Sequence, residues 1–248
     1  MELNVEKIRK VGIITQARTT STRLPRKVLK EAGGKTVLEH GLDRLRWSGF
    51  PVYVATTINQ TDNEIVELCE RIGVPSYRGS ENDVLSRYYE CAEKFGLDVV
   101  VRATSDNPLV DGNLIRKGVE RYLTLPENSY VSNCLEDPYP HGFNFEIFSF
   151  NALKYAHATA KESFEREHVT PFILNPLTNK GVIRSAIKYR KDGACLRMTL
   201  DEPDDWVLLK ILLDKYRAFD LGCDEIIHLV EGDKQLAKIN SHVKQIKV

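Results

Sequence analysis

The chain has 248 residues, 35 of them Lys or Arg and 35 Asp or Glu. Its formal net charge is therefore zero, and no global basic field draws it to nucleic acid or to an anionic membrane. That length suffices for one large core. No apolar run approaches the ~20 residues that a bilayer-spanning helix needs. The five cysteines, Cys69, Cys91, Cys134, Cys195 and Cys223, are odd in number and scattered without a C-x-x-C pair. They speak for a reducing compartment and against a disulfide frame or a zinc site. Met1 to Lys10 is charged and lacks an apolar segment, so no signal peptide is expected and the chain reads as a cytoplasmic protein.

The first half alternates strand and helix patterns. Val11–Ala17 reads as a strand, opening with an apolar run, Val11 to Ile14, of the kind found in buried parallel strands. It breaks into a polar loop with Arg18, Thr19, Thr20, Ser21, Thr22, Arg23, Arg26 and Lys27. Between Arg18 and Lys35 there are six basic residues and one acid, Glu31. Thr36–Ser48 has apolar residues at helical spacing. Val52–Thr56 is a strand, and Thr61–Ile72 a helix with Thr61 as N-cap, Glu64 three residues on and Gly73 as its stop. Val74–Tyr77 is a third strand. Asn82 or Asp83 caps a helix running to Phe95. Val99–Ala103 is the most apolar strand, and Asp111 starts a helix that ends before Pro126. This βα alternation predicts an α/β fold, a mostly parallel sheet with helices on both faces. Right-handed crossovers then gather Arg18, Arg78–Ser80 and Ser105–Asp106 at one edge of it.

The second half predicts strands at Tyr130–Asn133 and Gly142–Phe148 around a turn-rich insert, and helices at Ser149–Ala160 and Phe164–Leu174. Gly181–Tyr189 and Leu196–Leu200 are strand candidates. Pro203–Phe219 is a helix, and Asp224–Asn240 holds one or two more. With no linker or repeat, residues 1–248 read as one domain. An α+β excursion over 134–195 is expected to serve the acceptor side of a cleft or a dimer contact.

The loop after the first strand is where an α/β protein places a polyanion, with forked Arg donors, a compact Lys charge and hydroxyls for phosphate oxygens. Gly34-Lys35-Thr36 looks like the end of a P-loop, but the glycine required five residues earlier is Leu29, so a Gly-Gly turn with a Thr36 cap is the better reading. No G-x-G-x-x-G follows the first strand. Asp106 and Asp201 each follow a strand. Asp106 reads about equally as a turn former before Asn-Pro or as a hard ligand for Mg²⁺. On spacing alone, Asp201 reads as a helix-capping acid. Glu165, Glu167 and His168 by themselves read as a polar helix face.

Seven ordered motifs carry a resemblance: Gln16-Ala-Arg-x-x-Ser-Thr-Arg-Leu-Pro-x-Lys-Val-Leu29, Gly34-Lys-x-Val-Leu-Glu-His40, Val54-Ala-Thr-Thr57, Arg78-Gly-Ser-x-x-Asp-Val-Leu-x-Arg-Tyr88, Val101-Arg-x-Thr-x-Asp-x-Pro-Leu109, Glu165-Arg-Glu-His-Val-Thr-Pro171 and Leu200-Asp-x-Pro-x-Asp205. Together they resemble the cytidylyltransferases that include the CMP-Kdo and CMP-sialic acid synthetases, in the spore-coat polysaccharide branch. The resemblance implies a Rossmann-like three-layer α/β/α fold of the nucleotide-diphospho-sugar transferase kind, a homodimer, and transfer of CMP from CTP to a sugar acid with release of pyrophosphate. It implies that Arg18 and Lys27 hold the phosphates, with Ser21 and Arg23 on the same loop, and that Asp106 and Asp201 coordinate Mg²⁺. It implies further that Ser80 and the backbone at Ala17 lie near the base, while Arg78, His141, Arg166, Glu167 and His168 face an anionic sugar acceptor. The chain departs from the family at Thr20, Arg26 and Ser105, where glycine is common, and at His141 and Asn144, where acids are. These departures suggest a changed acceptor, a non-sugar acceptor, or a catalytically silent binding module on the same fold.

Overall fold

In the computed structural model, the described residues are 9–175, 177–179, 181–190 and 196–244; Cys195 and most of the charged N-terminal segment lie outside them. The strands are β1 (Val11–Gln16), β2 (Glu31–Ala32), β3 (Lys35–Thr36), β4 (Val52–Thr57), β5 (Ser76–Gly79), β6 (Val99–Thr104), β7 (Ser129–Ser132), β8 (Glu146–Ser149) and β9 (Ile183–Ala186). Seven of them form one sheet in the order β5-β4-β1-β6-β8-β7-β9, and β2 and β3 form a small hairpin. β1 runs parallel to both β4 and β6, β4 to β5, and β7 to β9. Only β8 is reversed, antiparallel to both β6 and β7. The sheet is thus mostly parallel, and β8 and β9, from the 134–195 segment, are part of it.

The helices are α1 (Val37–Arg46), α2 (Asn63–Arg71), α3 (Val84–Lys94), α4 (Gly112–Leu123), α5 (Phe150–Thr159), α6 (Ser163–His168), α7 (Pro171–Leu174), α8 (Pro203–Asp214), α9 (Cys223–Gly232) and α10 (Lys234–Lys238). They cover both faces. Ile13, Val54 and Val101 pack with Leu42, Ile115, Leu209 and Ile226 on one side. Ile14, Ala55 and Val100 pack with Leu85, Tyr88, Leu153 and Ile173 on the other. Adjacent strand residues serve opposite cores, which is why these strands read as unbroken apolar runs rather than alternating ones. No helix among the described residues is long and apolar enough to cross a membrane.

Several boundaries depart from the sequence expectation for local reasons. The third strand slides to Ser76–Gly79, pairing Val54 with Ser76 and Thr57 with Gly79. Thr61 does not cap α2: it sits in a 3-10 turn, Gln60–Asp62. The Asp62 carboxylate that follows it accepts instead from the Thr19 backbone N–H at 2.8 Å and hydroxyl at 2.6 Å, and from the Thr57 hydroxyl. Phe164–Leu174 breaks into α6 and α7 because Val169 adopts φ 70° and Pro171 opens the next turn. Of Gly142–Phe148 only the residues from Glu146 on are strand, which runs to Ser149, and Leu196–Leu200 contributes a single bridge, Arg197 to His141. Pro203–Phe219 stops as a helix at Asp214. Thr36 does cap α1, in a reciprocal box with Glu39.

Candidate active site

The C-terminal ends of the parallel strands β1, β4, β5 and β6 share one edge, with Gln16 of β1 beside Thr104 of β6. The loop after β1 is anchored there: Ala17 N–H donates to Ala55 O at 3.2 Å and Arg26 N–H to Thr19 O at 2.9 Å. Arg26 takes the left-handed conformation, φ 57°, which explains why glycine suits that position. Its guanidinium compensates with a bidentate pair to Glu64, at 2.7 and 2.6 Å. This turn delivers Lys27 to the sheet edge.

Lys27 Nζ donates to Asp106 Oδ2 at 2.9 Å and to Asp201 Oδ1 at 2.8 Å. Asp106 sits just beyond β6, where its backbone O accepts the Leu200 N–H at 2.8 Å, so the two acid-bearing loops are tied together. Asp201 is not a helix cap: the box at the start of α8 is made by Glu202 and Asp205. The Asp201 side chain meets three cations, adding Arg23 at 3.2 Å and Arg197 at 2.8 Å to Lys27. Burial works to raise the Asp106 pKa, but the Lys27 charge, with hydrogen bonds from Thr104 and Lys27, lowers it to about 2. Burial opposes the charge on Lys27 as well, and the two carboxylates outweigh it, holding the ammonium above its ordinary value. His141 shares this cleft. Burial and then the nearby Arg197 depress its pKa, so the ring is neutral at neutral pH.

A cleft of about 810 Å³ extends from Asp106 and Asp201 past His141 and Asn144 to His168. Its lining includes a polar cluster that sequence reasoning missed. Arg102 of β6 stands opposite Glu146 of β8 and donates to it. Glu146 also accepts from the Tyr130 hydroxyl, and from Thr170 Oγ1 at 2.7 Å. A charged pair within two otherwise apolar strands was the available signal. His168 lies beside this cluster, its pKa lowered by burial. Gly142, at φ 113°, shapes the insert: a Cβ there would lie 2.4 Å from the Met198 carbonyl carbon. That close approach lets His141 O accept the Met198 N–H at 2.6 Å. Asn144 caps the same turn, accepting from Gly142 N–H at 2.7 Å.

The remaining expected residues are distributed differently. Arg18 contacts Glu81 at 3.5 Å, and the Thr20 hydroxyl donates to the same carboxylate. Arg18 lines a separate cavity of about 380 Å³ with Arg166 and Glu167. Arg166 is tied to Asp83, the N-cap of α3, with Nε at 3.1 Å from Oδ1, and to Ser86 at 2.8 Å. Ser80 Oγ accepts from Asp83 N–H at 3.1 Å. Ser21 is half-buried on the first loop. Arg78 spends its donors on the loop after β4, reaching Thr57 O at 2.9 Å, Asn59 O at 2.7 Å and Asn63 Oδ1 at 2.7 Å, and lines neither cavity. Asp106, Asp201, His141 and His168 therefore line one cleft, with Lys27 and Arg23 paired to its acids, and Arg18, Arg166 and Glu167 line the other.

Asp106 and Asp201 converge on a single cation position, filled by the Lys27 ammonium. Two hard carboxylate oxygens there suit Mg²⁺, which is commonly held by one or two carboxylates plus substrate phosphates. Among the described residues no group of three or more His, Cys, Asp or Glu forms a metal site. Two carboxylates leave most of an octahedral shell to water and to substrate phosphate oxygens.

A family model described as cytidylyltransferase matches residues 12–242. An uncharacterized protein of Methanocaldococcus jannaschii is 41% identical over 240 residues, 95% of this chain and 96% of the other. The spore coat polysaccharide biosynthesis protein SpsF of Bacillus subtilis is 30% identical over 235 residues, 90% of this chain and 95% of the other. Among solved structures, a cytidylyltransferase from Leptospira borgpetersenii serovar Hardjo-bovis superposes with a TM-score of 0.86 at 28% identity, covering 97% of this chain and all of that one.

Proposed function

Since the chain belongs to the cytidylyltransferase family, we propose that it transfers CMP from CTP to a sugar acid of the nonulosonate kind, releasing pyrophosphate, with Mg²⁺ and as a cytoplasmic homodimer. The observation that carries this reading is Lys27 lodged between Asp106 and Asp201 at the head of the large cleft. Cation-binding acids and a phosphate-binding cation there share one point, as transfer at an α-phosphorus requires.

An acceptor hydroxyl oxygen attacks the α-phosphorus in line; the new O–Pα bond forms as the bond to the bridging oxygen breaks, the hydroxyl proton passes to solvent water, and pyrophosphate departs. Lys27 and Arg23 supply positive charge where the leaving group gains negative charge. Asp106 and Asp201 would hold the metal ion, which when bound polarises the α-phosphate and makes the acceptor hydroxyl more acidic. His141 and Asn144 border the path between these acids and the cleft, and Arg102, Glu146 and His168 form the far wall against which the acceptor would be oriented. The role of Lys27 is positioning and charge neutralisation, which dominate phosphoryl transfer.

The test is pyrophosphate release from each of the four nucleoside triphosphates over a panel of sugar acids. CTP-dependent release with at least one sugar acid supports the reading. CTP binding by calorimetry with no release for any acceptor would replace it with that of a silent binding module.

A further inference from the structure

Arg197 and Lys27 both neutralise Asp201, but they are held differently. Arg197 is buried, with 7% of its side chain exposed, and is clamped on Asp205 by Nε and Nη2, at 2.9 to 3.2 Å. It takes Asp201 Oδ2 and so turns Oδ1 toward Asp106. Lys27 rides on a three-residue 3-10 turn at the end of the first loop, and its hydrogen bonds are to Asp106 and Asp201. Its ammonium is a compact charge on a four-carbon flexible stem, free to swing about several bonds.

We propose that Lys27 is a displaceable counter-ion: it occupies the cation position between Asp106 and Asp201 and moves onto the triphosphate when a divalent cation enters, so that cation and nucleotide bind interdependently. The inference rests on the reading that these two acids hold the metal ion. An ammonium and a divalent cation cannot share the facing oxygens, because at that separation in a half-buried site their repulsion is large. A bare divalent cation must therefore separate Lys27 from the two carboxylates that neutralise it. A triphosphate supplies a new anionic partner. The first ligand then lowers the cost of the second, and the coupling is reciprocal by linkage. Arg23, paired with Asp201 and Glu202 and 42% exposed, belongs to the arm that moves; Arg197, locked on Asp205, belongs to the frame that stays.

The test is Mn²⁺ binding without nucleotide, read from the electron paramagnetic resonance signal of free Mn²⁺. Lys27→Met is expected to bind Mn²⁺ roughly tenfold more tightly than the unaltered protein, a change in the range of common coupling energies. Equal or weaker binding by Lys27→Met overturns the proposal, as does tight Mn²⁺ binding that persists when Asp201→Asn is added to it. If Lys27→Met does not fold, crystals of the unaltered protein decide. Soaked with Mn²⁺ alone they should show no anomalous peak between Asp106 and Asp201; soaked with Mn²⁺ and CTP they should show one, with Lys27 turned onto phosphate. A peak there with Mn²⁺ alone, Lys27 still touching both acids, overturns it. Tighter Mn²⁺ binding by Lys27→Met together with no pyrophosphate release by the unaltered protein for any acceptor would leave this inference standing while the proposed reaction falls.

Discussion

Arg197 and Asp205 meet side-on beneath the cleft, with Nε 2.9 Å from Oδ1 and Nη2 3.1 Å from Oδ2. Asp205 is fully buried and also accepts the backbone N–H groups of Asp201 at 3.0 Å and Glu202 at 2.9 Å, and Asn240 Nδ2 at 2.8 Å. One carboxylate thus fixes a helix start, a C-terminal residue and the arginine that orients Asp201. Removing it leaves a buried guanidinium uncompensated. Asp205→Ala should lose about 3–5 kcal/mol of stability, and Asn240→Ala about 1–3 kcal/mol by leaving Arg197 O and one Asp205 oxygen short of a donor. Urea titrations with a common slope measure both. A loss below ~1 kcal/mol for Asp205→Ala would mean the network is dispensable.

Asp205 also marks the limit of what the sequence carries. β1, β4 and β6 were legible because strands buried on both faces need apolar residues at every position, and Asp111 as a cap, with Asp83 as one of two candidates beside Asn82, because capping is local. Lys27 meets Asp201 across 174 positions, and no local pattern encodes such a contact; only the resemblance paired the two. It could not reveal that Arg78 turns back on the loop after β4, or that Arg166 belongs to the cap of α3, because long side chains choose partners in three dimensions. The Thr61 cap failed because the neighbouring Asp62 is used to anchor the first loop. The break at Val169 was obscured by a β-branched residue at positive φ, a conformation such residues rarely take.

Arg26 offers a test of backbone against side chain. Its φ of 57° disfavours any residue with a Cβ, while its guanidinium holds Glu64. Arg26→Ala keeps the strain and loses the pair; Arg26→Gly loses the pair but relieves the strain. The glycine variant should therefore melt at the higher temperature of the two. The reverse order in a calorimetric scan would show that this turn is not strained in solution.

The Arg102–Glu146 pair should separate stability from acceptor binding. Both side chains are mostly buried, 16% and 14% exposed, and Arg102 Nε has no hydrogen-bond partner among the described residues. Glu146→Ala strands the guanidinium and should cost about 3–5 kcal/mol. Tyr130→Phe removes a single donor to Glu146 and should cost about 1–2 kcal/mol. With an acceptor in hand, Tyr130→Phe should raise KM for the acceptor and leave KM for CTP unchanged. Equal changes in both would detach this wall of the cleft from acceptor recognition.

Asp106 makes the acid side of the pH dependence predictable. Its folded pKa of about 2 lies below the ordinary 3.8, so the folded state favours the carboxylate. That contribution to stability is complete above the ordinary value and is lost as pH falls from about 4 to about 2. In Lys27→Met the lowering charge is gone while the burial that raises the pKa remains, so Asp106 should titrate higher and this loss should vanish or change sign. Carboxyl ¹³C titrations of both proteins, with denaturation midpoints over the same range, check the sign. An Asp106 pKa unmoved by Lys27→Met would mean that the ammonium does not sit between the two acids in solution.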